Sequence, residues 1–250
     1  MIALFDSGMG GVCALLPLLH RLPKTDFLYL ADGAALPLGE KAPEEIRDRL
    51  ARALSLLAEY RPRAVLIACG TASAFCDDAL RARFPFPIFD IITPTASALC
   101  HRRAEGQILL LGTSATVQAG VFARAIAAQG PRVDAFPCPR LVPLAERHPK
   151  CSLKSVLAAM RPAVALSPAH VVLGCTHFSL LFSQISALFP TATVWDAAAI
   201  AADAMASALP PQPAERGAVR FLATAHGAAL RRRLSHRLGY RPTLVPITLP

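Results

Sequence analysis

The sequence predicts an α/β protein of two similar parallel-sheet domains related by pseudo-twofold symmetry, with an active site in the crevice between them. Three observations carry this. Short apolar runs alternate with helical patterns along the chain, as strands feeding crossover helices do. The pattern then starts over: Ile2 aligns with Ile108, and Val65-Leu-Ile-Ala-Cys69 with Val171-Val-Leu-Gly-Cys175, both at a separation of 106 residues. That period exceeds any solenoid repeat and implies two halves rather than an array. Finally, each half ends a strand in a cysteine, Cys69 or Cys175, at the carboxyl end where parallel folds place ligands.

The elements follow in order. Ile2-Ala3-Leu4-Phe5 reads as a strand that stops at Asp6-Ser7-Gly8-Met9-Gly10-Gly11, and Val12, Leu15, Leu16 and Leu19 have helical spacing. Phe27 to Leu30 is a second strand, followed by a loop from Ala31 to Gly39. Pro43-Glu44-Glu45 opens a helix running to about Tyr60, with a proline and two acids in its first turn. Ala64 to Ala68 is a strand, and Ala72 to Phe84 reads as one helix. The second series comprises a helix from Pro94, a strand from Ile108 to Leu111, a turn at Gly112-Thr113-Ser114 and a helix from Thr116. Pro210-Pro211-Gln212-Pro213 separates a last block, Val219 to Leu222, a basic helix and Thr243 to Ile247, which returns to the first half. The expected domains are 1–92 plus 209–250, and 93–208.

Composition excludes several classes. The 250 residues are 54% hydrophobic and 17% charged, with a mean hydropathy of +0.42, too apolar for a disordered chain. The longest uncharged stretch, Pro162 to Trp195, is broken by prolines, histidines and Gln184, so it reads as buried strand and loop rather than a membrane span. Met1 to Gly11 has no basic leader, which makes the cytoplasm the expected compartment. Seven cysteines, an odd number with no CxxC pair, are expected as thiols with neither a disulfide framework nor a zinc site. The net charge of +9 is concentrated in Arg231, Arg232, Arg233, Arg237 and Arg241, but without interleaved aromatics this is a solvated helix face rather than a nucleic-acid surface.

Cys69 and Cys175 have two readings. Free cysteine is often a small core hydrophobe. A thiol at a strand end, beside Gly70-Thr71 or Thr176-His177 and near a helix start, is instead placed to be acidified and to exchange protons, and two such thiols suit a two-base reaction. Cys13, Cys76, Cys100 and Cys151 lack that placement and read as structural. Asp6 and Ser7 either serve Cys69 or cap the following helix, and the roles are compatible. Gly8-Met9-Gly10-Gly11 fits a dinucleotide turn poorly, since the last glycine of that register is Cys13.

Five motifs, Asp6-Ser7-Gly8-x-Gly-Gly, Leu36 to Lys41, Ala68-Cys69-Gly70-Thr71-Ala72, Leu141 to Glu146 and Leu173-Gly174-Cys175-Thr176-His177-Phe178, resemble the glutamate racemases of the aspartate/glutamate racemase family in order and spacing. The resemblance spans nearly the whole chain. It implies a cofactor-independent, cytoplasmic isomerase that supplies D-glutamate for peptidoglycan, and so for cell wall biogenesis and cell shape. The implied partner is a small amino acid, with no nucleic acid or membrane, and a homodimer is left open. By position, Cys69 and Cys175 would be the acid/base thiols, with Asp6 assisting the first and Glu146 and His177 the second. Substrate contacts would be Asp6, Ser7, Leu38, Gly39, Gly70, Thr71, Thr176 and His177. Alternatives are a racemase for aspartate or another amino acid, or a binding homologue without turnover.

The chain departs from that family at Leu38 and Gly70, where tyrosine and asparagine are usual, and Phe178 stands for a common tyrosine. Each lost partner of a charged substrate would cost ~1.5–3 kcal/mol. The double reversion Leu38→Tyr, Gly70→Asn is therefore expected to restore contacts.

Overall fold

The computed structural model describes residues 1–147, 151–210 and 217–250. The first sheet begins with β1 (Ile2–Asp6), which runs into α1 (Val12–Arg21), then β2 (Phe27–Ala31), α2 (Pro43–Glu59) and β3 (Val65–Ile67). Two short helices, α3 (Gly70–Ala74) and α4 (Asp78–Arg81), lead to β4 (Ile88–Asp90) and α5 (Ile92–His101). The second sheet starts at β5 (Ile108–Gly112), followed by α6 (Ser114–Ala119), α7 (Val121–Ala127), β6 (Val133–Pro137), α8 (Leu141–Glu146) and α9 (Leu153–Val164). β7 (His170–Leu173), α10 (Thr176–Ser179), α11 (Phe182–Leu188), β8 (Thr193–Asp196) and α12 (Ala197–Ala208) follow. The chain closes with β9 (Val219–Ala223), α13 (Gly227–Leu238) and β10 (Leu244–Pro246).

All pairings are parallel. The six-stranded sheet has the order β10-β9-β2-β1-β3-β4 and the four-stranded sheet β6-β5-β7-β8. The 106-residue repeat survives in register: Ile2 faces Phe27 as Ile108 faces Val133, Ala3 faces Val65 as Leu109 faces Val171, and Val65 faces Ile88 as Val171 faces Val194. Four strands of each half thus follow one pairing scheme, and β9 and β10 extend only the first. β1, β2, β3 and β5 are buried along their full length, as parallel strands covered on both faces must be. The expected boundary at residue 208 falls at the end of α12, which packs on α1 and on α5, while α5 packs on α7.

The repeat extends to capping. Asp90 accepts from the backbone of Ile92 and Thr93 at the start of α5, and Asp196, 106 residues on, from Ala198 and Ala199 at the start of α12. Those caps explain why α5 begins before Pro94. Three further expectations need correction. Ala72 to Phe84 is not one helix, because Asp77 captures the Leu80 amide at 2.9 Å and starts α4 afresh. The helix expected from Thr116 begins at Ser114 and breaks at Gly120, whose φ of +66° is left-handed backbone. The uncharged stretch from Pro162 to Trp195 carries α10 and α11 as well as strand. Of the proline-rich separator, Pro211 to Pro213 lie outside the described residues. Among the described residues no helix is long and apolar enough to cross a membrane.

The two caps differ in one respect that can be tested. Asp90 also pairs with the part-buried Arg81 at 2.6 Å, whereas Asp196 accepts from the Ser179 hydroxyl at 2.7 Å. Asp196→Ala is expected to destabilise by about 1–2 kcal/mol, and Asp90→Ala by more, since it also removes the carboxylate from a part-buried guanidinium that is left with the Cys76 and Ile88 carbonyls. Urea midpoints of the two variants check the order.

Candidate active site

Each cysteine stands just past the end of a buried strand, where the backbone leaves the sheet and turns into a short helix. Cys69 has φ −132° and ψ 119°, and Cys175 has φ −132° and ψ 129°, so the repeat presents both in the same backbone conformation. Both side chains are buried and line one small cavity, together with Ser7, Leu38, Thr71 and His177. Gly39 and the unpredicted Leu36, Thr113 and Val142 complete much of the wall. The cavity holds about 20 Å³, room for roughly one water molecule.

Behind this wall lies a polar layer that joins the halves. Asp6, at the end of β1, accepts from the Gly8 amide at 2.9 Å and from the Thr176 hydroxyl at 3.1 Å. It therefore does two things at once: it ties down the glycine turn and reaches the other half. The Tyr29 hydroxyl, buried in the first sheet, donates to the Gly8 carbonyl at 2.9 Å and fixes the same turn. Ser7, not Asp6, is the residue hydrogen-bonded to Cys69, with Oγ 3.6 Å from Sγ. Thr71 Oγ1 lies 2.9 Å from Thr113 Oγ1, which lies 2.8 Å from Thr116 Oγ1. Sequence reasoning misses this hydroxyl cluster, although the repeat points to it, since Ser7 maps onto Thr113.

Around Cys175 the arrangement is a chain. His177 interacts electrostatically with Cys175, and its Nε2 lies 2.8 Å from Glu146 Oε1. Glu146 is absent from the cavity wall; it stands one layer back, where its other oxygen meets Arg233 of α13. Spacing alone ranks neither Glu146 nor His177 as a site residue.

Electrostatics correct one expectation. Cys69 is not acidified by its helix: burial, reinforced by the Asp6 charge, pushes its thiol up to about 12. α3 is only five residues long, too few aligned peptides to offset full desolvation. Cys13 and Cys138 are likewise pushed up to about 12 by burial, as structural thiols are. Burial also raises Asp6 above the usual carboxylate range, against the opposing His177 charge and its amide partners. For His177, burial favours the neutral ring, but the interaction with Cys175 and the charge of Asp6 outweigh it and raise the imidazole. Among the described residues no group of three or more His, Cys, Asp or Glu is arranged to hold a metal ion.

Gly70 lines no part of the cavity. It is the point where the two cysteine turns touch: a Cβ built on it would stand 1.9 Å from the Gly174 carbonyl oxygen. On Gly39 a Cβ would stand 2.3 Å from Thr113 Cβ. Both glycines let backbone of one half approach the other more closely than any side chain permits.

A family model for Asp/Glu/Hydantoin racemase matches residues 19–205. The chain belongs to this family. It is 32% identical over 185 residues, 72% of its length, to the glutamate racemase of Streptococcus suis, covering 70% of that protein. The structure of glutamate racemase isoform RacE1 from Bacillus anthracis superposes with a TM-score of 0.94 at 25% identity, over 100% of this chain and 98% of that one. That of Escherichia coli glutamate racemase, in complex with L-glutamate and the activator UDP-MurNAc-ala, gives 0.83 at 27%, over 100% and 98%. The α/β architecture of two parallel sheets is thus that of the family.

Within the family pattern, Gly70 now has a physical account that reverses the expected reversion. An asparagine there must force the Cys69 and Cys175 turns apart. Gly70→Asn is expected to cost about 1–3 kcal/mol of stability, as overpacking does, and to remain as damaging when combined with Leu38→Tyr. Urea unfolding of the single and double variants measures it; wild-type stability in Gly70→Asn would show that the turns do not bear on one another.

Proposed function

We propose that this chain is a glutamate racemase that interconverts L- and D-glutamate without a cofactor, using Cys69 and Cys175 as paired acid/base groups. The observation that carries the reading is the pair itself. Two thiols in the same backbone conformation, at equivalent strand ends, open on one water-poor cavity in a chain whose relatives are named glutamate racemases.

The chemistry follows from the surroundings. One thiolate takes the α-proton, breaking the Cα–H bond and leaving its electron pair on carbon. The opposite thiol then delivers its own proton to the other face, and the two sulfurs end with their charges exchanged. Burial keeps Cys69 as the thiol at neutral pH, and the His177 imidazolium against Cys175 is the counter-charge a thiolate there needs. Glu146 orients that imidazole, as a carboxylate behind a catalytic histidine does. Asp6 acts on Cys69 through space, its charge strengthening the sulfur as a base. The Ser7 and Thr71 hydroxyls and the backbone at Leu38-Gly39, Gly70-Thr71 and Thr176-His177 are the groups proposed to hold the substrate's charged ends, and oriented donors of this kind stabilise the carbanion.

A cavity of about 20 Å³ does not admit glutamate, so units 1–92 plus 209–250 and 93–208 are proposed to part for entry and close for reaction. The product would feed peptidoglycan synthesis in the cytoplasm. A racemase for the shorter aspartate is the second reading, favoured by the tight approach at Gly70 and Gly39.

Enantiomers have equal free energies, so kcat/KM is the same in both directions and any lesion must lower both together. Cys69→Ser and Cys175→Ser are each expected to reduce kcat/KM for L- and D-glutamate by about 10²–10⁴-fold. Optical rotation with the enantiomers of glutamate and aspartate reads this directly. Conversion of aspartate alone would establish the second reading, and wild-type rates in both serine variants would overturn the mechanism.

A further inference from the structure

Among the described residues three mostly buried carboxylates carry ion pairs. Asp32 pairs with Arg49 and Asp90 with Arg81, both within the first half, and Glu146 pairs with His177 in its own half and with Arg233. The Glu146–Arg233 pair crosses between halves. Arg233 sits in α13, between β9 and β10 of the six-stranded sheet, whereas Glu146 ends α8, just after β6 of the four-stranded sheet.

The same carboxylate is shared. Oε1 meets His177 Nε2 at 2.8 Å, and Oε2 meets the Arg233 guanidinium. The Glu146 and Arg233 side chains are 11% and 29% exposed, so the pair is largely shielded from solvent and from screening. A cation held on one oxygen restrains the carboxyl group and thereby aims the other oxygen at His177. Arg233 also touches none of the cavity that holds the two thiols; with Glu146, Gly8 and Leu36 it borders a separate cavity of about 270 Å³ on the outer side.

We propose that Arg233 is a positioning residue that latches the crevice: it reaches across from α13 only when the halves are closed, and there it pins Glu146 in the orientation that serves His177. The Cys175 side of the site is thus assembled by closure, and separating the halves withdraws the cation that aims its carboxylate. This rests on the racemase reading of the same site, but the latch itself is a mechanical claim that does not need turnover to be tested.

The test is a cycle of Arg233→Met and Glu146→Gln, with Arg233→Lys as the variant that keeps the charge. Two readouts are taken: racemisation of glutamate and aspartate, and the rate of iodoacetamide labelling at Cys175 by peptide mass spectrometry, with the exposed Cys100 as internal control. Arg233→Met is expected to lower kcat about tenfold with KM within about twofold, and to speed Cys175 labelling about fivefold while leaving Cys100 unchanged. Arg233→Lys should recover most of both. In the Glu146→Gln background Arg233→Met should add less than twofold to either effect, since its partner is already gone.

Equal factors in both backgrounds would mean that Arg233 acts elsewhere in α13, and would overturn the proposal. So would wild-type kcat and labelling in Arg233→Met. If no amino acid is turned over yet the labelling effects are coupled as described, the racemase reading fails and the latch stands. Turnover with uncoupled labelling would instead overturn the latch and leave the racemase reading standing. Should Arg233→Met not fold, Arg233→Gln replaces it in the cycle: factors that vanish in the Glu146→Gln background support the latch, and equal factors in both backgrounds overturn it.

Discussion

Everything in the site depends on how closely two backbone turns approach. The Cys69 and Cys175 turns meet where Gly70 faces the Gly174 carbonyl, with no space for a single added carbon. That contact sets the separation of the two strand ends, and with it the small volume between the thiols. It also shields both thiols from bulk solvent, so that the Cys69 thiol answers to its immediate surroundings. The upward shift of Cys69 and the raised Asp6 carboxyl follow from this burial, whereas His177 is raised against it by Cys175 and Asp6.

The two halves that make the contact share one plan, and the repetition explains both the symmetry and its limits. Strand register and the Asp90 and Asp196 caps repeat at one spacing, so both cysteines are delivered by the same scaffold. What differs is the polar company. Cys69 has a serine hydroxyl and a nearby carboxylate; Cys175 has a histidine backed by a carboxylate and an arginine. A symmetric frame carrying unlike neighbours suits the proposed reaction, in which one sulfur gives a proton as the other takes one.

Much of this is legible in the sequence. Buried parallel strands are continuous apolar runs, so β1, β2, β3 and β5 can be read from composition, and the matched cysteine pentapeptides set the repeat. The break at Asp77 is hidden because helical spacing does not register a side chain competing for a backbone amide. In the site, Cys69, Cys175, Ser7 and Thr71 stand out as residues at strand ends. Thr113 also stands at a strand end and is traceable through its repeat partner Ser7, whereas Thr116 and Arg233 come from α6 and α13 and leave no such trace. Gly70 reads in the sequence as a lost side chain, whereas its role is the absence of one.

In the two-thiol mechanism, separate groups on opposite faces of the substrate handle the α-proton. Following L-glutamate in heavy water at early times, with label measured in both enantiomers, tests this most directly. Two thiols predict that the first D-glutamate formed carries deuterium at the α-carbon while recovered L-glutamate carries almost none, since each face exchanges only with its own sulfur. Early D-glutamate that retains the original proton would mean one group serving both faces, and would contradict the mechanism.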